Sequence, residues 1–194
     1  GVGEPDEKTG DSRVDVGLRL RPAGFRSALL PHDVQEVQAH IHVSPTVVRI
    51  ERLEGQAGPA AFDAGGKLNW TGSEFSSDVT VSMVADAANA WSWIANAVEV
   101  GPRPDVEGVV RMQATVTGRV DEPRFAGQIQ LKSVGMRIPT ILTKPLHAPA
   151  SIDFDTRLSG GSLLAIRHVG LVLPPVQIIG DGTLSLSEGM AFAG

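Results

Sequence analysis

The feature that most constrains this chain is a hydrophobic period of two that returns in segment after segment. Val14, Val16, Leu18 and Leu20 alternate with Asp15, Gly17, Arg19 and Arg21. Val37, Ala39, Ile41 and Val43 alternate with Gln38, His40 and His42. The same spacing holds for Val79, Val81 and Met83, for Val110, Met112, Ala114 and Val116, and for Ile152 and Phe154 between Ser151, Asp153 and Asp155. Successive side chains on a strand point to opposite faces. Each segment therefore carries one apolar and one polar face, the pattern of an antiparallel sheet wetted on one side.

Turn chemistry punctuates these segments at Ala64-Gly65-Gly66, Asp121-Glu122-Pro123, Gly160-Gly161 and Gly180-Asp181-Gly182. Such punctuation predicts roughly nine to eleven strands in sequence, with no helical pattern between most of them. Gly 22 and Pro 13 in 194 residues exceed the usual share and favour many turns over long helices. One stretch departs from the period. Asp86 to Val98 is Ala-rich and sets Trp91, Ile94, Ala95 and Val98 at helical spacing. Asp86 suits an N-cap and Gly101-Pro102 a stop, so one helix is expected over about 86–98. A further short turn of helix is expected within residues 22–36. Gly1 to Ser12 mixes Gly, Pro and charge without periodicity and reads as a linker or tail (1–12), leaving 13–194 as one β-rich domain.

A weak repeat runs through that domain. Gly-x-apolar-x-apolar occurs at Gly66-Lys-Leu68-Asn-Trp70, Gly127-Gln-Ile129-Gln-Leu131 and Gly182-Thr-Leu184-Ser-Leu186. The first and third copies extend further without a gap. At an offset of 116 residues Ile50 matches Ile166, Pro59 matches Pro175 and Phe62 faces Ile178. True repetition implies units of a few strands that bury their apolar faces by stacking on neighbours.

Charge and composition narrow the function. The net charge of −5 lacks the basic footprint of a nucleic-acid binder. With no cysteine, disulfides and thiolate metal sites are excluded. No apolar run reaches the ~18 residues of a spanning helix, and no signal peptide is visible. The first residue is Gly1 rather than Met, which fits a segment of something longer.

Candidate chemistry is sparse. His40 and His42, two apart on a strand, share a face that suits a metal, but the sequence identifies no third ligand, so they read as solvated histidines. His168, near Ile166 and Val169, reads as a structural histidine, and His32 and His147 as surface loop residues. Asp63, Asp153 and Asp155 offer carboxylates, yet their alternation assigns them to a polar strand face rather than to a convergent acid–base pair. No nucleophile elbow, P-loop or zincin motif is present, and no enzyme activity, cofactor or metal site is expected. Trp91 and Trp93 suit either a helix packed on the sheet or one touching lipid headgroups.

The run Val116-Thr-Gly118-Arg-Val120-Asp-Glu-Pro123-Arg-Phe125-Ala-Gly127-Gln-Ile129-Gln-Leu131 resembles the repeated element of the AsmA-like family, the TamB and YhdP type of large envelope protein in diderm bacteria. The flanking order is also similar: a short Ala/Trp helix, a Gly-Pro linker, this run and a final Gly-Asp-Gly-x-Leu strand. The resemblance covers about residues 37–190. It implies a long taco-shaped β-groove, lined with apolar side chains, that carries phospholipid between the inner and outer membranes. It further implies a periplasmic location, neighbouring groove segments of the same long chain, and an inner-membrane anchor in parts not present in this sequence. The family has no catalytic residues to carry over.

The expected fold is therefore mainly β: a curved, mostly antiparallel sheet or open groove with one short helix. A closed barrel or a filled sandwich gives the same alternation. Few aromatics, 5% of the chain with no Tyr, point weakly to a groove filled by ligand rather than by rings. The expected lining is Val79, Val81, Met83, Val110, Met112, Ala114, Val116, Ile129, Leu131, Ile152, Phe154, Leu184 and Leu186. The expected function is non-enzymatic lipid binding or transfer. The alternative is a structural or interaction sandwich in outer-membrane assembly or adhesion.

Overall fold

Strands that alternate apolar and polar residues, joined by short turns, pair most simply with their sequence neighbours, and the chain does so almost throughout. The computed structural model describes residues 14–19, 34–71, 74–97, 104–140, 142–160, 162–185 and 191–193. The first strands are β1 (Val14–Arg19), β2 (Val34–Val43), β3 (Val47–Ala57), β4 (Ala60–Thr71) and β5 (Glu74–Asp86). A helix, α1 (Ala87–Ala97), precedes β6 (Asp105–Arg119) and β7 (Arg124–Gln130). Then come β8 (Val134–Ile138), β9 (Leu142–Lys144), β10 (Ser151–Ser159), β11 (Leu163–Leu173), β12 (Val176–Ser185) and β13 (Ala191–Ala193).

Eleven of these strands form one antiparallel sheet in the order β1-β2-β3-β4-β5-β6-β7-β10-β11-β12-β13. The path is open and does not close into a barrel. β8 branches from it, pairing with the first residues of β6 and with β9. The mainly β, antiparallel, open expectation with one short helix is thus met. The helix begins where the sequence puts it, with the Asn89 amide donating to the Asp86 carboxylate at 3.0 Å as an N-cap should. The tail over 1–12, Gly101-Pro102, His32 and Leu186 lie outside the described residues, as does most of the helical turn expected within 22–36. Its last residues, 34–36, belong to β2 instead.

Two of the four expected turns are corrected. Ala64-Gly65-Gly66 lies inside β4 and Gly180-Asp181-Gly182 inside β12. Both stretches lie opposite a bulge of the neighbouring strand rather than at a reversal. A Cβ on Gly66, whose φ is +148°, would meet the Asp78 carbonyl oxygen at 2.2 Å. The actual reversals between those strand pairs are at Gly58-Pro59 and Pro174-Pro175.

The repeat at offset 116 reappears as geometry. In β3–β4, Ile50 pairs with Gly66 and Leu53 with Ala64, a bulge lying between. In β11–β12, Ile166 pairs with Gly182 and Val169 with Gly180, with the same bulge. Ala57 pairs with Ala60 at the first turn, and Leu173 with Val176 at the second. The same bulges show against the preceding strands, with Glu51 of β3 the extra residue opposite His40 and Ile41 of β2, and Arg167 of β11 opposite Asp155 and Thr156 of β10. Although β2–β3 adds a shift between Gln35 and Gln38 that β10–β11 lacks, two three-stranded units, β2–β3–β4 and β10–β11–β12, therefore share one register around these bulges. The middle sequence copy at Gly127 does not, since β6–β7 pairs without a bulge.

Candidate functional site: an apolar slot under the helix

Register carries the apolar residues of neighbouring strands into rows across one face. Met83 pairs with Met112, Met112 with Ile129, and Ile129 with Ile152. The next row runs Val81, Ala114, Gly127, Phe154 and Val169. A third holds Val79, Val116 and Phe125. Leu184 lies on this face too, paired with Leu164, which pairs with Leu158. The opposite face is polar and cross-linked. Arg124 clasps Asp155 through two hydrogen bonds of 2.8 and 2.6 Å, Gln128 donates to Asp153 at 2.8 Å, and Arg157 pairs with Glu122 at 2.6 Å. The Arg124 guanidinium holds the Asp155 carboxyl below its ordinary value.

No second layer fills the apolar face among the described residues. The buried apolar residues are mostly alanines, and Val134 is the largest fully buried side chain. Of the expected lining residues that are described, all are half-buried except the buried Ala114. At one end of the face, α1 and β8 rise over the sheet and enclose a cavity of about 310 Å³. Six of the expected lining residues, Met83, Val110, Met112, Ile129, Leu131 and Ile152, border it. Val79, Val81, Ala114, Val116, Phe154 and Leu184 lie beyond it, on the open part of the same face.

The walls are what the sequence reading missed. Ala87, Ala90 and Trp91 of α1, Val106 of β6, and Val134 and Met136 of β8 complete the lining. The Ala-rich helix face signalled part of this, and the Val134-Gly-Met136 alternation the rest. Trp91 brings a polar atom: its indole Nε1 is buried with no hydrogen-bond partner among the described residues. An orphan donor of this kind costs about 1–3 kcal/mol.

Behind β8 lies Lys144, only 4% exposed. Its ammonium donates to the carbonyls of Val134 and Pro145, and burial lowers its pKa. Asp63 is exposed opposite Ser82, His168 is half-buried on β11, and His147 is exposed in a turn. His40 and His42 do share the polar face, and the structure supplies the third group that the sequence did not identify: Glu51, whose carboxylate reaches both rings.

No family model matches the chain, and no match was found among curated proteins or solved structures. Among the described residues no helix is long and apolar enough to cross a membrane.

Proposed function

We propose that this protein binds lipid, and that the apolar face holds acyl chains, one of them lodged in the slot beneath α1. One observation carries the reading: a face lined by aliphatic side chains ends in a cavity that the protein's own side chains leave unfilled. Its volume, about 310 Å³, falls at the lower end of the ~300–1,000 Å³ typical of small-molecule sites. The mechanism is passive. Each methylene that leaves water for this lining gains about 0.8 kcal/mol, while a headgroup stays at the open side in solvent. In this reading the chain is a non-enzymatic phospholipid-binding or transfer segment of an AsmA-like protein in the bacterial cell envelope. Further groove segments would continue its lining, and the membrane would be reached through other parts of the parent.

Lipid extraction of the purified protein followed by mass spectrometry tests this, together with titration of a fluorescent fatty acid. The expected result is co-purifying phospholipid and saturable binding, weakened at least about tenfold in Met112→Asp because a carboxylate is costly in an apolar slot. Absence of both lipid and saturable binding overturns the reading, as does unchanged binding by a folded Met112→Asp.

A second reading has its own support. β12 exposes Ile178 and Ile179, neighbours on opposite faces, at 57% and 62%. Apolar surface on both sides of one strand suits an interaction or scaffold module whose partner covers that end of the sheet.

A further inference from the structure

We propose that His40, His42 and Glu51 form a binding site for a divalent transition metal, with Zn²⁺ the fitting ion, on the polar face of the sheet. The inference is independent of the lipid reading, since it concerns the opposite face. His40 Nδ1 lies 2.9 Å from one carboxylate oxygen of Glu51, and His42 Nε2 lies 2.8 Å from the other. One ligand atom from each of the three residues falls within 4.8 Å of the others. A small closure of three side chains brings these atoms around an ion with bonds of about 2.0–2.2 Å. Two imidazole nitrogens and one carboxylate oxygen are a ligand set that zinc accepts, with a fourth position left for water.

The backbone explains why these three meet. His40 pairs with Arg52 and Ile41 with Ile50, which leaves Glu51 as the extra residue of a bulge. Bulges re-aim a side chain, and strict alternation would not have brought Glu51 between rings two residues apart on the next strand. The second three-stranded unit serves as an internal comparison. Asp155 pairs with His168 and Thr156 with Ile166, so Arg167 occupies the bulge position there. Arg157 stands where His42 does in the first unit. Asp155 stands where His40 does, so the same backbone carries one carboxylate and two guanidinium groups in one copy and three metal-ligating groups in the other, and the fold itself does not demand the full ligand set.

The site is open to an incoming ion: the side chains of His40, His42 and Glu51 are 50%, 31% and 44% exposed. Glu51 also borders a polar hollow of about 540 Å³ shared with Arg49, Lys67 and Asp78. Neighbouring cations are partly neutralised, Lys67 by Asp78 at 3.8 Å and Arg52 by Glu54 at 2.6 Å. Arg49, paired with His42 across the strands, limits the affinity.

The test uses the full chain without an affinity tag. Zn²⁺ calorimetry should show one equivalent bound with micromolar affinity, and Co²⁺ should give the visible absorption of a tetrahedral complex. Glu51→Gln and His42→Asn should each weaken Zn²⁺ at least about tenfold, as loss of even an outer-shell partner does, while His147→Asn should leave it unchanged. Ring-proton NMR during the titration reads the wild type directly, with the His40 and His42 signals moving first. Absence of saturable Zn²⁺ binding, binding retained in folded His40→Asn/His42→Asn, or a titration that leaves those two signals still overturns the proposal.

Discussion

Gly127 faces Ala114 across β6 and β7 so closely that a Cβ added to it would lie 2.7 Å from the Ala114 Cα and 2.3 Å from the Gln113 carbonyl oxygen. Both contacts are with backbone, which cannot swing aside as the end of a side chain can. Gly127→Ala should therefore part the two strands and destabilise the fold by about 1–3 kcal/mol. At Gly180, where an added Cβ meets nothing within 4 Å, the same substitution should change stability by no more than about 0.5 kcal/mol. Urea unfolding of the two variants provides the comparison, and equal midpoints would show that Gly127 is not tightly held.

The sheet was legible in the sequence because a period of two leaves few alternatives, and α1 because Asp86 caps it and its Ala-rich stretch breaks that period. Of the residues that border the slot, Met83, Val110, Met112 and Ile152 stand in alternating segments, and Ile129 and Leu131 in the Gly-x-apolar-x-apolar run. Alternation also explains what was missed. Gly65-Gly66 and Gly180-Asp181-Gly182 look like turns, yet they lie in strands opposite bulges, and a glycine required by close approach, as Gly66 is, reads the same as one required by a reversal. A bulge likewise breaks the period around Glu51, so its meeting with His40 and His42 was invisible. β8 is short and returns to the start of β6 rather than to β7, with β9 paired to its other side, a long-range choice that local pattern does not encode.

Trp91 borders the slot and keeps an indole N–H without a partner among the described residues. Trp91→Phe removes the orphan donor and also trims the ring, two effects of opposite sign, so the lipid-free protein should change in stability by less than about 1 kcal/mol. Binding should respond little. The donor is shielded from the slot, so a bound chain meets the carbon part of the ring, and the variant should lose little affinity for an ester-linked lipid or for a plain hydrocarbon chain. Parallel titrations with the two ligand types check this, and a loss confined to the ester-linked lipid would show that the indole N–H turns into the slot.

Asp155 is held ionised by Arg124, whose hydrogen bonds lower its pKa in the folded state from the ordinary 3.8. A depressed carboxylate contributes stability that is fully present above its unfolded value and is lost as pH falls through the folded one. Wild-type stability should thus decline below about pH 4, and Asp155→Asn should flatten that part of the profile while lowering stability at neutral pH. Urea midpoints measured from acid to neutral pH test the sign. A variant with the wild-type acid slope would mean that other carboxylates dominate.

The Lys144 pKa is also lowered, but by burial, which disfavours its charged form instead of stabilising it. Burial disfavours its ammonium, so the folded protein holds that proton less tightly than the unfolded chain does, whose value is 10.5. The unfolded state then binds more protons in the alkaline window below that value, and this group makes stability rise with pH there. Lys144→Met should abolish the rise. At neutral pH it should cost about 1–3 kcal/mol, because the hydrogen bonds to the Val134 and Pro145 carbonyls are lost from a buried position. The loss should be local to the wall of the slot, since Val134 lines the cavity and β8 pairs with β9 through Met136 and Lys144. Hydrogen exchange should accordingly quicken at the amides of β8 and β9 before those of β4 to β7, and uniform acceleration across the sheet would show that Lys144 supports the whole fold rather than this wall.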